Sequence, residues 1–139
     1  MKKFWRLYWN SLHYLSYLYK PTYKNQVIKL INKMKTNGIK CFKCKTHFNQ
    51  FTQNYDINNY LNTKNDIINY FLILHNNINN NNFSINDLNK LYINFDDTEL
   101  KSYGIDIQLL FNMNKIDKLI DIINTTLYYR LLIEDNKLD

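Results

Sequence analysis

The residues whose types and spacing could do chemistry in this 139-residue chain are two cysteines, three histidines and a run of lysines. Cys41-Phe42-Lys43-Cys44 has the spacing of a redox pair or of half a zinc site. A structural zinc site takes four ligands, typically from two such pairs. This chain has one pair, and His13, His47 and His75 lack finger spacing. A thioredoxin-type pair sits between a strand and a helix, whereas this one follows Gly38 in a lysine-rich helical segment. Cys41 and Cys44 are therefore read as two small hydrophobes on a core stripe. A metal shared with a partner, or redox use of the pair, is the alternative. His47 and His75 are read as structural. Asp96, Asp97 and Glu99 form an acidic cluster with no matching second cluster, and are read as a solvated turn. No GxSxG, P-loop, GxGxxG or HExxH is present, and two glycines cannot build a phosphate-cradling loop. On this reading the chain is not an enzyme and carries no cofactor or metal.

The lysines speak more strongly. Residues 20–51 hold eight of the eighteen basic residues and no acid. Residues 1–55 carry eleven Lys and Arg and no Asp or Glu, whereas residues 56–139 carry seven against twelve acids. Such asymmetry implies a basic face for nucleic acid or an anionic membrane. Phosphate contacts give sequence-independent, salt-dependent affinity. The candidate contacts are Lys3, Arg6, Lys20, Lys24, Lys29, Lys33, Lys35, Lys40, Lys43 and Lys45. Trp5, Tyr8, Trp9, Tyr23 and Phe42 are interleaved with them and could stack on unpaired bases.

The elements that must position these residues are mostly helical. Residues 1–20 read as a cationic, aromatic N-terminal extension, too short to span a membrane and without the small-residue cleavage site of a signal peptide. Residues 21–139 read as one domain. Val27, Leu30, Ile31 and Met34 recur at i, i+3, i+4, i+7, the spacing of one helical face, and Asn37-Gly38 supplies a stop. Cys41, Cys44, Phe48 and Phe51 mark a second helix. Ile68, Phe71, Leu72 and His75 mark a third, followed by an asparagine tract over residues 76–82. Leu91, Ile93 and Phe95, then Tyr103, Ile105, Ile107 and Leu109, alternate with period two and predict a β-hairpin at about residues 91–109. Its tip region offers Asn94, Thr98, Lys101 and Ser102 as further contacts. Ile116 to Leu127 returns to helical spacing. The fold class expected is mainly α: a helical bundle with one projecting β-hairpin before the last helix.

The order and spacing of these blocks resemble the small-subunit ribosomal protein seven family. Lys20-Pro21-Thr22-Tyr23, then Asn32 and Gly38-Ile39-Lys40, resemble its first basic block. Leu91-Tyr92-Ile93 followed by Tyr103-Gly104-Ile105-Asp106-Ile107-Gln108-Leu109 resembles the flanks of its hairpin. The family's Arg- and Gly-rich tip is replaced here by residues 97–101, Asp-Thr-Glu-Leu-Lys. The resemblance implies a ribonucleoprotein role in translation: a structural protein of the small ribosomal subunit that binds the 3′ major domain of rRNA and organises the head. Its partners would be small-subunit rRNA, neighbouring ribosomal proteins, and mRNA or exit-site tRNA. Composition adds a location. The chain has 24 asparagines, no alanine, and sixteen Lys to two Arg, the bias of an A+T-rich genome such as that of an organelle. The expected location is thus the mitochondrial matrix, on the organelle ribosome. The alternative is an accessory subunit of a respiratory-chain complex at the membrane surface.

Overall fold

The computed structural model describes residues 2–36, 42–128, 130, 131, 133 and 134, without the side chains of Phe42, Lys43, Thr126 and Leu127. Among the described residues the chain is mainly helical and contains no strand. No helix among them is long and apolar enough to cross a membrane.

Helix α1 spans Lys2–Leu18. Its buried Phe4, Leu7, Tyr8, Ser11, Leu12 and Leu15 repeat at helical spacing, and Trp9, His13 and Ser16 bury a second face beside them. The two serines can be buried because their hydroxyls donate to the carbonyls of Leu7 (2.7 Å) and His13 (2.6 Å). Phe4, Leu7, Tyr8, Trp9, Leu12 and Leu15 of this helix belong to the same core cluster as residues of α2, α4 and α7.

Pro21 opens a single 3₁₀ turn, Pro21–Tyr23, and α2 follows as Lys24–Thr36. It buries Val27, Leu30, Ile31 and Met34, the face the periodicity predicts. Buried Gln26 pins it to the far end of the chain. Its amide nitrogen donates to the Phe111 carbonyl (3.1 Å), and its oxygen accepts from the Ile116 amide (3.4 Å). Helix α3 spans Phe42–Asn54 and buries Phe48 and Phe51. A 3₁₀ turn at Ile57–Tyr60, capped by Asp56, leads to α4, Lys64–Asn79.

Capping boxes start α4 (Thr63 with Asp66) and α5, Ile85–Tyr92 (Ser84 with Asp87). Helix α4 runs into the asparagine tract and stops at Asn80, which adopts the left-handed conformation (φ 56°). Three short elements follow: α6 (Thr98–Ser102), α7 (Ile107–Asn112) and α8 (Lys118–Asp121), the last continuing as a π-helical turn, Ile122–Leu127. Helix α1 packs on α4, α5 and α7; α3 packs on α4 and α2; α8 packs on α2 and α7. These contacts close a ring around the main core, and Ile68, Leu72, Leu88 and Tyr92 form a second, smaller cluster between α4 and α5.

The β-hairpin expected at residues 91–109 is absent; α5, α6 and α7 occupy that stretch. The period-two pattern has another origin. Gly104 (φ 81°) ends α6, with its amide donating to the Lys101 carbonyl (2.9 Å) and the Ile105 amide reaching back to Leu100 (3.0 Å). Asn114 (φ 57°) ends α7 by the same pair of bonds, to Phe111 and Leu110. The left-handed cap at Gly104 resets the helical phase within the stretch, so buried residues there fall at irregular intervals that imitate alternation. Leu91 and Ile93, read as the strand's apolar face, are 61% and 63% exposed, while Tyr92 between them is buried. Asn94, Thr98, Lys101 and Ser102 therefore sit at helix ends and turns, not on a hairpin tip.

Candidate functional site

Trp9 and His13 lie four residues apart on α1, so they share a face. His75 of α4 inserts against both. Its ring stacks on Trp9 with centroids 4.0 Å apart and planes at 9°, and its Nδ1 lies 2.9 Å from His13 Nε2. Tyr92 of α5 completes the group, 5.2 Å from the His13 ring, with its hydroxyl donating to Asn10 (2.6 Å). Phe83 packs 5.4 Å from His75. Asn76 holds Phe83 there: its side-chain amide donates to the Phe83 carbonyl (3.0 Å) and accepts from the Phe83 amide (3.1 Å).

The electrostatics follow from burial. Desolvation first, and His75 second, push His13 down to about 3. Desolvation pushes His75 down to about 4. Both rings are neutral at physiological pH, and one proton bridges Nε2 and Nδ1. The other ring nitrogen of His13, Nδ1, is buried with no hydrogen-bond partner. Leaving such an atom unmet costs about 1–3 kcal/mol. A cavity of about 400 Å³ adjoins the pair, lined by His13, His75, Phe83, Leu88, Leu91 and Tyr92 together with Asp87 and Lys90. It lies in the size range of small-molecule and cofactor sites, and it is apolar apart from a few convergent polar groups. The arrangement suits a flat aromatic ligand held by stacking and one hydrogen bond to a buried imidazole.

Cys44 lies in the first turn of α3, at the positive end of the helix dipole. It sits near Tyr8, the residue before Trp9. Burial and then Cys44 raise the Tyr8 phenol, keeping it protonated. The Tyr8 and Trp9 rings are edge to face at 5.5 Å. Cys44 and the histidine pair thus flank one aromatic cluster on α1. Cys41, Gly38 and Lys40 lie outside the described residues, as does the side chain of Lys43.

The remaining lysines are partly neutralised by the acidic half. Lys33 pairs with Asp121 at 2.7 Å, Arg6 with Glu99 at 3.0 Å and Lys101 with Asp97 at 3.4 Å. Lys45 donates to the Thr36 carbonyl (2.8 Å), closing the last turn of α2. Lys3 lies over the Tyr103 ring, 5.2 Å from its centroid. Lys20, Lys24, Lys29 and Lys35 are exposed. Trp5, Tyr8 and Trp9 pack with their neighbours instead of standing out as stacking platforms, and Tyr23 stacks on Phe111. Among the described residues, no group of three or more His, Cys, Asp or Glu could hold a metal ion.

Sequence reasoning missed the Trp9–His13–His75 cluster. The available signal was the four-residue spacing of Trp9 and His13; nothing local ties them to a residue 62 positions on.

The model of the Erv1 / Alr family matches residues 6–96. No curated protein and no solved structure matches the chain. The family match overturns the resemblance to ribosomal protein seven, and with it the structural role in translation, the rRNA contacts and the ribosomal, mRNA and tRNA partners. That resemblance leaned in part on hairpin flanks that are helical. The respiratory-complex alternative is likewise unsupported. The reading as a non-enzyme is corrected too, because members of this family are FAD-linked sulfhydryl oxidases.

Proposed function

The chain belongs to the Erv1 / Alr family, and from this premise we propose that it is a flavin-linked sulfhydryl oxidase. Such an enzyme passes electrons through a cysteine pair. Cys41 and Cys44 are the only cysteines in the sequence, and their spacing lets them cycle between dithiol and disulfide. The observation that carries the reading is one of placement. The matched stretch contains Cys44, Trp9, His13 and His75, and the fold gathers them around α1.

Two substrate thiols become one disulfide, and dioxygen takes up the two electrons and two protons as hydrogen peroxide. A substrate thiolate attacks one sulfur of the oxidised Cys41–Cys44 pair and displaces the other as a thiolate. The second substrate thiol then resolves the mixed disulfide and leaves the enzyme pair reduced. The first turn of α3 helps here, since the positive end of a helix dipole favours an anionic sulfur. FAD, when bound, supplies a two-electron acceptor between the cysteine pair and dioxygen. The residues present fit its flat rings: a buried imidazole nitrogen without a partner, aromatic walls from His75, Phe83 and Tyr92, and Lys90 as a cation for phosphate. Neutral His13 and His75 would hold it without adding charge.

The test is oxygen uptake by the purified chain with a reduced dithiol such as dithiothreitol. The expected result is stoichiometric peroxide, a flavin absorbance that co-purifies with the chain, and loss of turnover in Cys44→Ser with its helical circular dichroism retained. A chain that binds no flavin and consumes no oxygen refutes the reading. The mitochondrial location read from composition stands as a separate proposal, to be checked by subcellular fractionation.

A further inference from the structure

We propose that a second cavity, formed where α1, α4 and α5 meet, binds a small planar aromatic molecule carrying one anionic group, an aromatic carboxylate being the type. The proposal stands independently of the oxidase reading. The cavity has a volume of about 470 Å³, within the range of small-molecule sites, and shares Tyr92 with the cavity beside the histidine pair. Helical spacing assembles its walls. Tyr14, Tyr17 and Leu18 stand at i, i+3 and i+4 on α1, so they share a face. Lys64 and Ile68 are one turn apart on α4, and Asn89 and Ile93 are one turn apart at the end of α5.

The apolar part of the cavity is aromatic. The rings of Tyr14 and Phe95 are 5.0 Å apart, those of Phe95 and Tyr92 5.2 Å, and those of Tyr92 and Tyr17 5.8 Å. Tyr14, Tyr17 and Phe95 are half-buried and pack on the smaller core cluster, so they offer ring faces and edges to a flat ligand. Burial holds the phenols of Tyr14 and Tyr17 above their ordinary value, and they bring no charge. The polar part donates. The Tyr17 hydroxyl donates to Asn89 Oδ1 (2.6 Å), which fixes that carboxamide and leaves its NH₂ group without a partner among the described residues. Lys64 is exposed and joins no ion pair among the described residues. No Asp or Glu lines the cavity. The acids that bear on Tyr14 are engaged, Asp97 with Lys101 (3.4 Å) and Asp106 with the Leu109 amide (3.1 Å). Asp66, on the first turn of α4, accepts from the Thr63 amide (3.2 Å). Stacked rings, an amide donor and one cation together select a flat anion.

The probes are naphthoate and its neutral counterpart naphthamide, titrated into the purified full chain and followed by NMR shifts of backbone and side-chain amides. Naphthoate should bind with a submillimolar Kd and shift Tyr17, Asn65, Asn89 and Asn94 more than His75 and Phe83. Naphthamide should bind about threefold more weakly at low salt, the worth of one exposed ion pair, and the difference should close at high salt. Lys64→Gln should remove that difference. Ile93→Glu, at a position already 63% exposed, should keep its helical circular dichroism and weaken naphthoate binding by at least as much. Shifts confined to His75 and Phe83 would put the probe in the other cavity and overturn the proposal. Equal affinity for the two probes, or no shift at millimolar probe, overturns it as well. Shifts of Ile93 and Asn94 that follow protein concentration without probe would mark a contact between copies of the chain, and would also overturn it.

Discussion

Lowering the pH from 7.5 to 5.0 should destabilise this protein through two buried imidazoles. The ordinary histidine value is about 6.5, and in the fold burial holds His13 at about 3 and His75 at about 4. A base with a lowered value in the fold binds its proton first in the unfolded chain. The stability it contributes is whole above 6.5 and is lost as pH falls toward the folded values. At pH 5 the unfolded chain gains about 2 kcal/mol for each imidazole that the fold keeps neutral, from RT ln(1 + 10^1.5). His75 is partly exposed at the cavity, so its share is discounted to about half for solvent screening. The expected loss is about 3 kcal/mol, a large part of the roughly 5–15 kcal/mol typical of a domain. Asp87 and Asp96 are held below their usual range by bonds from Ser84 and Thr98, so they titrate outside this window. Urea unfolding followed by circular dichroism at pH 7.5, 6.0 and 5.0 measures the effect. The variant His75→Phe, which keeps a ring against Trp9, should shrink the drop to about 2 kcal/mol. Stability that is flat or rising from pH 7.5 to 5.0 in the unmodified chain would show that the imidazoles are not desolvated, and would remove the reason to assign the cavity beside them a ligand.

Two substitutions test the frame around the site. Gly104→Ala forces a Cβ into a left-handed residue at φ 81°; no atom lies within 4 Å of that Cβ, so the cost is backbone strain alone, about 1 kcal/mol, read as a lower urea midpoint. Gln26→Leu leaves the Phe111 carbonyl and the Ile116 amide without their bonds and should cost about 2 kcal/mol or more, with thiol oxidation by the residual folded fraction unchanged.

The helices were legible wherever one face carried the burial. The spacing of Val27, Leu30, Ile31 and Met34 placed α2, and that of Ile68, Phe71 and Leu72 placed α4, because a periodic apolar face is a local property. The stretch from Leu91 to Leu109 imitates alternation for two reasons: Leu91 and Ile93 are apolar residues on an exposed surface, and the left-handed cap at Gly104 breaks the helical phase between Tyr103 and Ile107. The CxxC is visible in the sequence, but spacing alone reads it as packing, since its chemistry depends on neighbours that spacing does not supply.

By itself the sequence determined the mainly helical class, the cysteine pair and the concentration of lysines around it, all of which follow from residue type and short-range order. Only the tertiary structure decided which charges remain uncompensated, because Asp121 meets Lys33 and Glu99 meets Arg6 from opposite halves of the chain. It alone decided the Trp9–His13–His75 cluster as well. Burial strips those rings of water and lowers their proton affinity, and that burial is created by packing α4 on α1, a contact no local pattern encodes.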